Sequence, residues 1–222
     1  MSHGDCQAPH PVYPGAMPMH VITGDLPQEL ADEIRGGSSV AVDTETSGLD
    51  WRRDTLELCQ LFTPATGPVL IRRSEARPQN LVDLLENSQL TKVFHHAPFD
   101  LRFLEATWGA RTSPVFCTKT GSKLLDPQLP SSEHSLKSLL ARHFEIQLDK
   151  GSVRVSDWAT DELSPEQLEY AAADVSSLLR LAHLEAEQLR LRGLETEFEA
   201  VCAYLPVDAH LEVAGFPNPL VY

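Results

Sequence analysis

The chain has 222 residues, with 18 basic and 32 acidic side chains and nine histidines, for a formal charge of −14. Hydrophobic residues at 42% and charged residues at 23% suit a folded globular protein and exclude disorder as the overall state, and no run approaches the ~18 apolar residues of a membrane-spanning helix. The acidic surplus argues against a nucleic-acid binder that works through a broad basic face, yet it is uneven: residues 1–50 carry −7, residues 51–154 carry +3 with all five lysines, and residues 155–222 carry −10.

Residues 1–19, rich in Pro, Gly and His, read as a disordered leader. Residues 20–192 read as one α/β domain and 193–222 as a C-terminal helical extension. A short helix at 26–34 stops at Gly36-Gly37, and the apolar run 39–43 (SVAVD) after it reads as a buried strand. Further strands are expected at 55–62, 69–72, 91–95 and 115–117, with helices at 80–87, 99–108, 118–125 and 135–143. Ser164, Pro165 and Glu166-Gln167 form a helix-start signature, opening one long helix to about residue 192. A last helix at 194–213 is expected to bend or break near Pro206. The fold class is α/β, with a central mixed five-stranded sheet flanked by helices. Cys6, Cys59, Cys117 and Cys202 are widely spaced, as in a protein with reduced, packed cysteines. Without a secretory signal at the N-terminus, a cytoplasmic location is the default expectation.

Three acidic motifs carry the chemistry. In Asp43-Thr44-Glu45 the two acids lie at i and i+2, on one side of a strand. Such a pair is unfavourable at the edge of a core unless a cation neutralises it, and oxygen-only ligands suit a hard ion such as Mg²⁺ or Mn²⁺. A solvated surface pair has the same pattern. Asp100 lies one turn into a helix that follows a strand, where an acid also complements the helix dipole. Tyr170 and Asp174, four apart, share a helix face, with Ala171, Ala172 and Ala173 leaving room for close packing.

In this order, D-x-E, D and Y-x-x-x-D, the chain resembles the DEDD superfamily of 3′–5′ exonucleases, in the tyrosine-bearing branch that includes ribonuclease D and the proofreading domain of DNA polymerase I. The matching segments are VAVDTETSGLD, KVFHHAPFDLRFL and LSPEQLEYAAADV. Glu169 stands where the histidine-bearing branch would have its histidine. The segment DKGSVRVSDW resembles a ribonuclease D pattern, while the tail FEAVCAYLPVDAHLEVAGF loosely resembles the helix after polymerase-type exonuclease domains.

The resemblance implies a ribonuclease H-like fold and two Mg²⁺ or Mn²⁺ ions per active site, clamping the attacking and leaving oxygens of a phosphodiester. It makes Asp43 the bridge between the ions. Glu45 and Asp174 complete the water-activating site, Asp100 holds the second ion, and Tyr170 orients the water. The partner implied is single-stranded RNA or DNA with a free 3′ end, and no membrane is involved. Candidate substrate contacts are Thr46, Leu49 as an apolar wedge, His95, His96, Phe99 and Lys150. For the histidines and for Phe99 core packing is the alternative, and for Lys150 and its companions Lys119, Lys123 and Arg154 it is solvated surface charge. A catalytically silent nucleic-acid or protein-binding module on the same fold is the competing function. RNA and DNA both remain open.

Overall fold

A computed structural model describes residues 17–147, 157–160 and 162–220. Residues 1–16 of the expected leader lie outside the described residues, and Met17 already packs against the core. In chain order the elements are β1 (His20–Thr23), α1 (Gln28–Arg35), β2 (Ser39–Thr46), β3 (Leu56–Thr63), β4 (Gly67–Arg72), α2 (Gln79–Leu85), β5 (Thr91–Phe94), α3 (Ala97–Trp108), β6 (Val115–Cys117), α4 (Thr118–Leu125), a 3₁₀ turn (Ser131–His134), α5 (Leu136–Phe144), α6 (Pro165–Ser176), α7 (Leu178–Leu191) and α8 (Glu195–Val213).

The strands form one mixed sheet in the order β1-β4-β3-β2-β5-β6. β2, β3 and β4 pair antiparallel, while β1 joins β4, β5 joins β2 and β6 joins β5 in parallel. The sheet therefore has six strands where the sequence predicts five. The extra strand is β1, a four-residue edge strand whose side chains alternate between half-buried and exposed. It offers no continuous apolar run, and Gly24, at φ +97°, ends it.

Alternation along β2 divides the core. Val40 and Val42 face one apolar cluster, with residues of α1, α2, α3 and α8, whereas Ala41 faces the other, with α5 and α7. A third cluster joins Leu58 and Leu70 to Trp158 and Ala171 under α6. Helices thus cover both faces, which is why β3 is buried at all but one of its positions and β2 runs Val-Ala-Val without a polar break.

Two helix boundaries differ from expectation. The helix expected over 164–192 is two helices, α6 and α7, meeting at Ser177. The Ser176 hydroxyl donates to the Ala172 carbonyl at 2.5 Å, a back-bond that competes with the helical ladder. Conversely, α8 continues through Pro206 as one helix. Phe198 and Cys202 before the proline and Ala209 after it are all buried in the same cluster, so packing holds both halves in line. No described helix is long and apolar enough to cross a membrane.

Candidate active site

Asp43, Thr44 and Glu45 all lie inside β2, and a bulge between Glu45 and Thr46 ends the regular pairing. Because β2 alternates, Asp43 and Glu45 share the face of Ala41, the face that α6 covers. The start of α6 is fixed by a capping box: the Ser164 hydroxyl accepts from the Gln167 amide at 3.2 Å, and the Gln167 side chain accepts from the Ser164 N–H at 2.9 Å. Two turns on, Asp174 faces the strand. Ala171, fully buried between them, allows the close approach.

Carboxylate oxygens of Asp43, Glu45 and Asp174 all lie within 4.8 Å of one another. At that spacing each pair of negative charges repels by about 3 kcal/mol at an effective dielectric of about 20. A cation among them removes that cost, and three hard oxygen donors suit Mg²⁺ or Mn²⁺. Gln60 strengthens the fit. It pairs with Asp43 in the β2–β3 register and is fully buried, yet neither its amide nitrogen nor its oxygen has a hydrogen-bond partner. Polar groups stranded beside three carboxylates are what a hydrated cation would satisfy.

Asp100 takes a different position. It lies in the first turn of α3, on the opposite face of β2, where it accepts a hydrogen bond from Thr44 at 2.7 Å. Burial raises its carboxyl to about pH 7, against the opposing pull of the Thr44 hydroxyl and nearby backbone amides. The structure thus gathers three of the four predicted carboxylates into one cluster and holds the fourth across the strand edge through Thr44. The tight entry into α3 makes this possible. His96 caps the helix in the left-handed region at φ 74°, so β5 passes directly into α3.

Tyr170 lies beside the cluster, and its hydroxyl shares a hydrogen bond with Asp174. Burial, then the charges of Asp174 and Glu45, push its ionisation far above the ordinary phenol range. It is a neutral hydrogen-bonding group at any physiological pH.

The remaining predicted residues separate. The Thr46 hydroxyl donates to the Gly48 carbonyl at 2.5 Å and shapes the loop after β2. Leu49, 85% exposed, stands at that loop's tip. His95 shares a 2.9 Å hydrogen bond with the Thr118 hydroxyl. His96, Phe99 and Leu49 line one cavity beside the site. Burial lowers the His96 pKa, and the positive charges of Lys119, Lys123 and Arg102 lower it further, so cations flank the site on that side. Lys150 and Arg154 lie outside the described residues. Trp158 is buried against Leu58, Leu70 and Tyr170. Sequence reasoning missed Thr44 and Gln60 as supports. The signal for Thr44 was available, since strand alternation aims it away from its two acidic neighbours.

A family model for the 3′–5′ exonuclease domain matches residues 19–189, so the chain belongs to the 3′–5′ exonuclease family, enzymes of the ribonuclease H-like fold. Among curated relatives, ribonuclease D of Cronobacter turicensis is 27% identical over 173 residues, covering 78% of this chain and 46% of that protein. The chain spans about half the length of the curated relatives it matches. Among solved structures, Brucella melitensis NrnC with bound Mg²⁺ is 33% identical with a TM-score of 0.82, covering 93% of this chain and all of that one. NrnC bound to pGG is 33% identical with a TM-score of 0.84, at the same coverage.

Proposed function

We propose that this protein is a 3′–5′ exonuclease dependent on two Mg²⁺ or Mn²⁺ ions, of the tyrosine-bearing type. It would remove nucleoside 5′-monophosphates from the 3′ end of single-stranded nucleic acid. The observation that carries this reading is the cluster of Asp43, Glu45 and Asp174, with Asp100 held at the same strand edge. RNA is the favoured substrate. The relatives are ribonucleases D, and NrnC has been solved with pGG and with Mg²⁺.

Asp43, Glu45 and Asp174 would hold one ion, and Asp43 with Asp100 the second. Bound there, divalent cations lower the pKa of water and stabilise charge on a phosphodiester. The residues do the rest. Asp43 and Glu45 present their carboxylates from a rigid central strand. Tyr170, locked as a neutral phenol, orients the attacking water and takes no proton from it. Leu49, Phe99 and His96 border the terminal nucleotides.

The deciding experiment offers matched 5′-labelled RNA and DNA, single- and double-stranded, with Mg²⁺, Mn²⁺ or EDTA. A ladder shrinking from the 3′ end, faster on single-stranded RNA and absent in EDTA, is the expected result. Internal cuts from the outset, or degradation that survives EDTA, would overturn the reading.

A further inference from the structure

A cavity of about 370 Å³ is lined, among others, by Asp50, Trp51, Arg52, Phe99, Arg102 and Glu212, with Leu49 and His96 also at its wall. Its walls come from the loop after β2 and from α3, but Glu212 comes from the last turn of α8, some 160 residues away in the chain. One oxygen of the Glu212 carboxylate accepts from the Trp51 indole N–H and from Arg52, each at 3.2 Å. The other accepts from Arg102 Nε. Arg102 also donates to Asp208 of α8 at 3.2 Å and to the Pro98 carbonyl at 2.6 Å. The Arg52 guanidinium lies 4.2 Å over the Trp51 ring. A single carboxylate thus gathers donors from three side chains on two separate elements.

We propose that Glu212 is a positioning residue for nucleotide binding, clamping Trp51 and Arg52 to Arg102 so that the cavity keeps the shape of a nucleobase site. The inference rests on the exonuclease reading above and adds the C-terminal helix to its substrate apparatus. The chemistry favours a base. Aromatic rings and an arginine stacked on one of them suit the face of a base. Three of the five Arg102 N–H groups are engaged by Glu212, Asp208 and the Pro98 carbonyl, which holds it in place as a wall of the cavity. Without Glu212, Arg102 keeps Asp208 at 3.2 Å and Arg52 keeps Asp50 at 3.9 Å, and the carboxylate that joins the two guanidinium groups is gone. The loop carrying Leu49 then loses its tie to α8.

The test measures the affinity of a 5′-fluorescein-labelled single-stranded RNA by anisotropy, with Ca²⁺ in place of Mg²⁺. It also measures kcat and KM in Mg²⁺. Glu212→Ala should raise Kd and KM about tenfold with kcat within about twofold. Glu212→Gln, which keeps one acceptor oxygen, should fall between. Glu105→Ala is the control. Glu105 accepts from His210 at 2.6 Å across the same α3–α8 pair but does not line this cavity, so its loss should lower stability without moving Kd. Unchanged affinity in Glu212→Ala, or an equal loss in Glu105→Ala, overturns the clamp. A wild-type chain that binds the RNA without degrading it overturns the nuclease reading and leaves the clamp standing, and one that binds none overturns both.

Discussion

Thr44 stands between two carboxylates of one cluster, yet its own hydroxyl serves Asp100 on the opposite face of the strand. Thr44→Val keeps the shape and removes the donor, leaving a buried carboxylate short of a partner. The expected cost is about 1–3 kcal/mol in urea unfolding at neutral pH, with activity reduced as well. Gln60 poses the reverse case. A fully buried amide with neither atom partnered already carries its desolvation cost, so Gln60→Leu should leave stability unchanged or raise it by about 1 kcal/mol. If the amide supports the metal shell beside Asp43, the same variant should lower Mn²⁺ affinity about tenfold by calorimetric titration. A purely structural glutamine would not move stability and metal affinity in opposite directions. Tyr170→Phe belongs to the same scale. The phenol is neutral and points at Asp174, so its removal should slow turnover, by about 10²-fold or more, while Mn²⁺ affinity stays near wild type.

At the scale of elements, legibility followed the strength of local periodicity. β2, the α6 start and the spacing of Tyr170 and Asp174 were readable because strand alternation and helix pitch determine which side chains converge. β1 was not, because half of each edge residue pair faces solvent. The break at Ser177 was not, because the apolar stripe continues from α6 into α7 while the packing partner changes from the third cluster to the second. The Glu212 clamp was invisible for another reason: nothing local in a helix end announces a partner 110 or 160 residues away.

The crossing of α4 and α7 carries its own prediction. Glu185 is 2% exposed with both carboxyl oxygens unpartnered, and a side chain on Gly121 would meet its Oε2 at 2.5 Å. Burial first, then the proximity of Cys117 and Asp126, raises its pKa well above the ordinary carboxyl value. The sign follows. Above the unfolded value near 4.5 the unfolded chain releases this proton while the folded chain keeps it, so stability falls as pH rises, by up to about 1.4 kcal/mol per pH unit. Asp100, raised to about 7, slopes the same way over the acid range. Lys92, lowered to about 7 by burial, slopes the opposite way above that pH. Both act equally in wild type and in Glu185→Gln, so the difference between the two isolates Glu185. Unfolding in urea at pH 5, 6 and 7 should show the variant gaining on wild type at each step, and a constant difference would count against a protonated Glu185.

For the whole molecule the decisive quantity is where the charge of −14 lies. Among the described residues the positive charges near the site are few. Lys119, Lys123 and Arg102 flank His96, and Arg102 and Arg52 are already engaged with α8. The cluster of Asp43, Glu45 and Asp174 repels phosphate until cations load it. Binding should therefore depend on the ions more than on a basic surface. Each phosphate contact on a single strand contributes a slope of about −0.7 in log K against log salt. With two or three such contacts the slope for single-stranded RNA in Ca²⁺ should be shallow, about −2. Removing the divalent ion with EDTA should reduce affinity far more than raising KCl does. Anisotropy titrations over a range of KCl, with and without EDTA, measure both terms. A slope of −5 or steeper with EDTA-insensitive binding would mean that a broad basic face, not the carboxylate site, holds the nucleic acid.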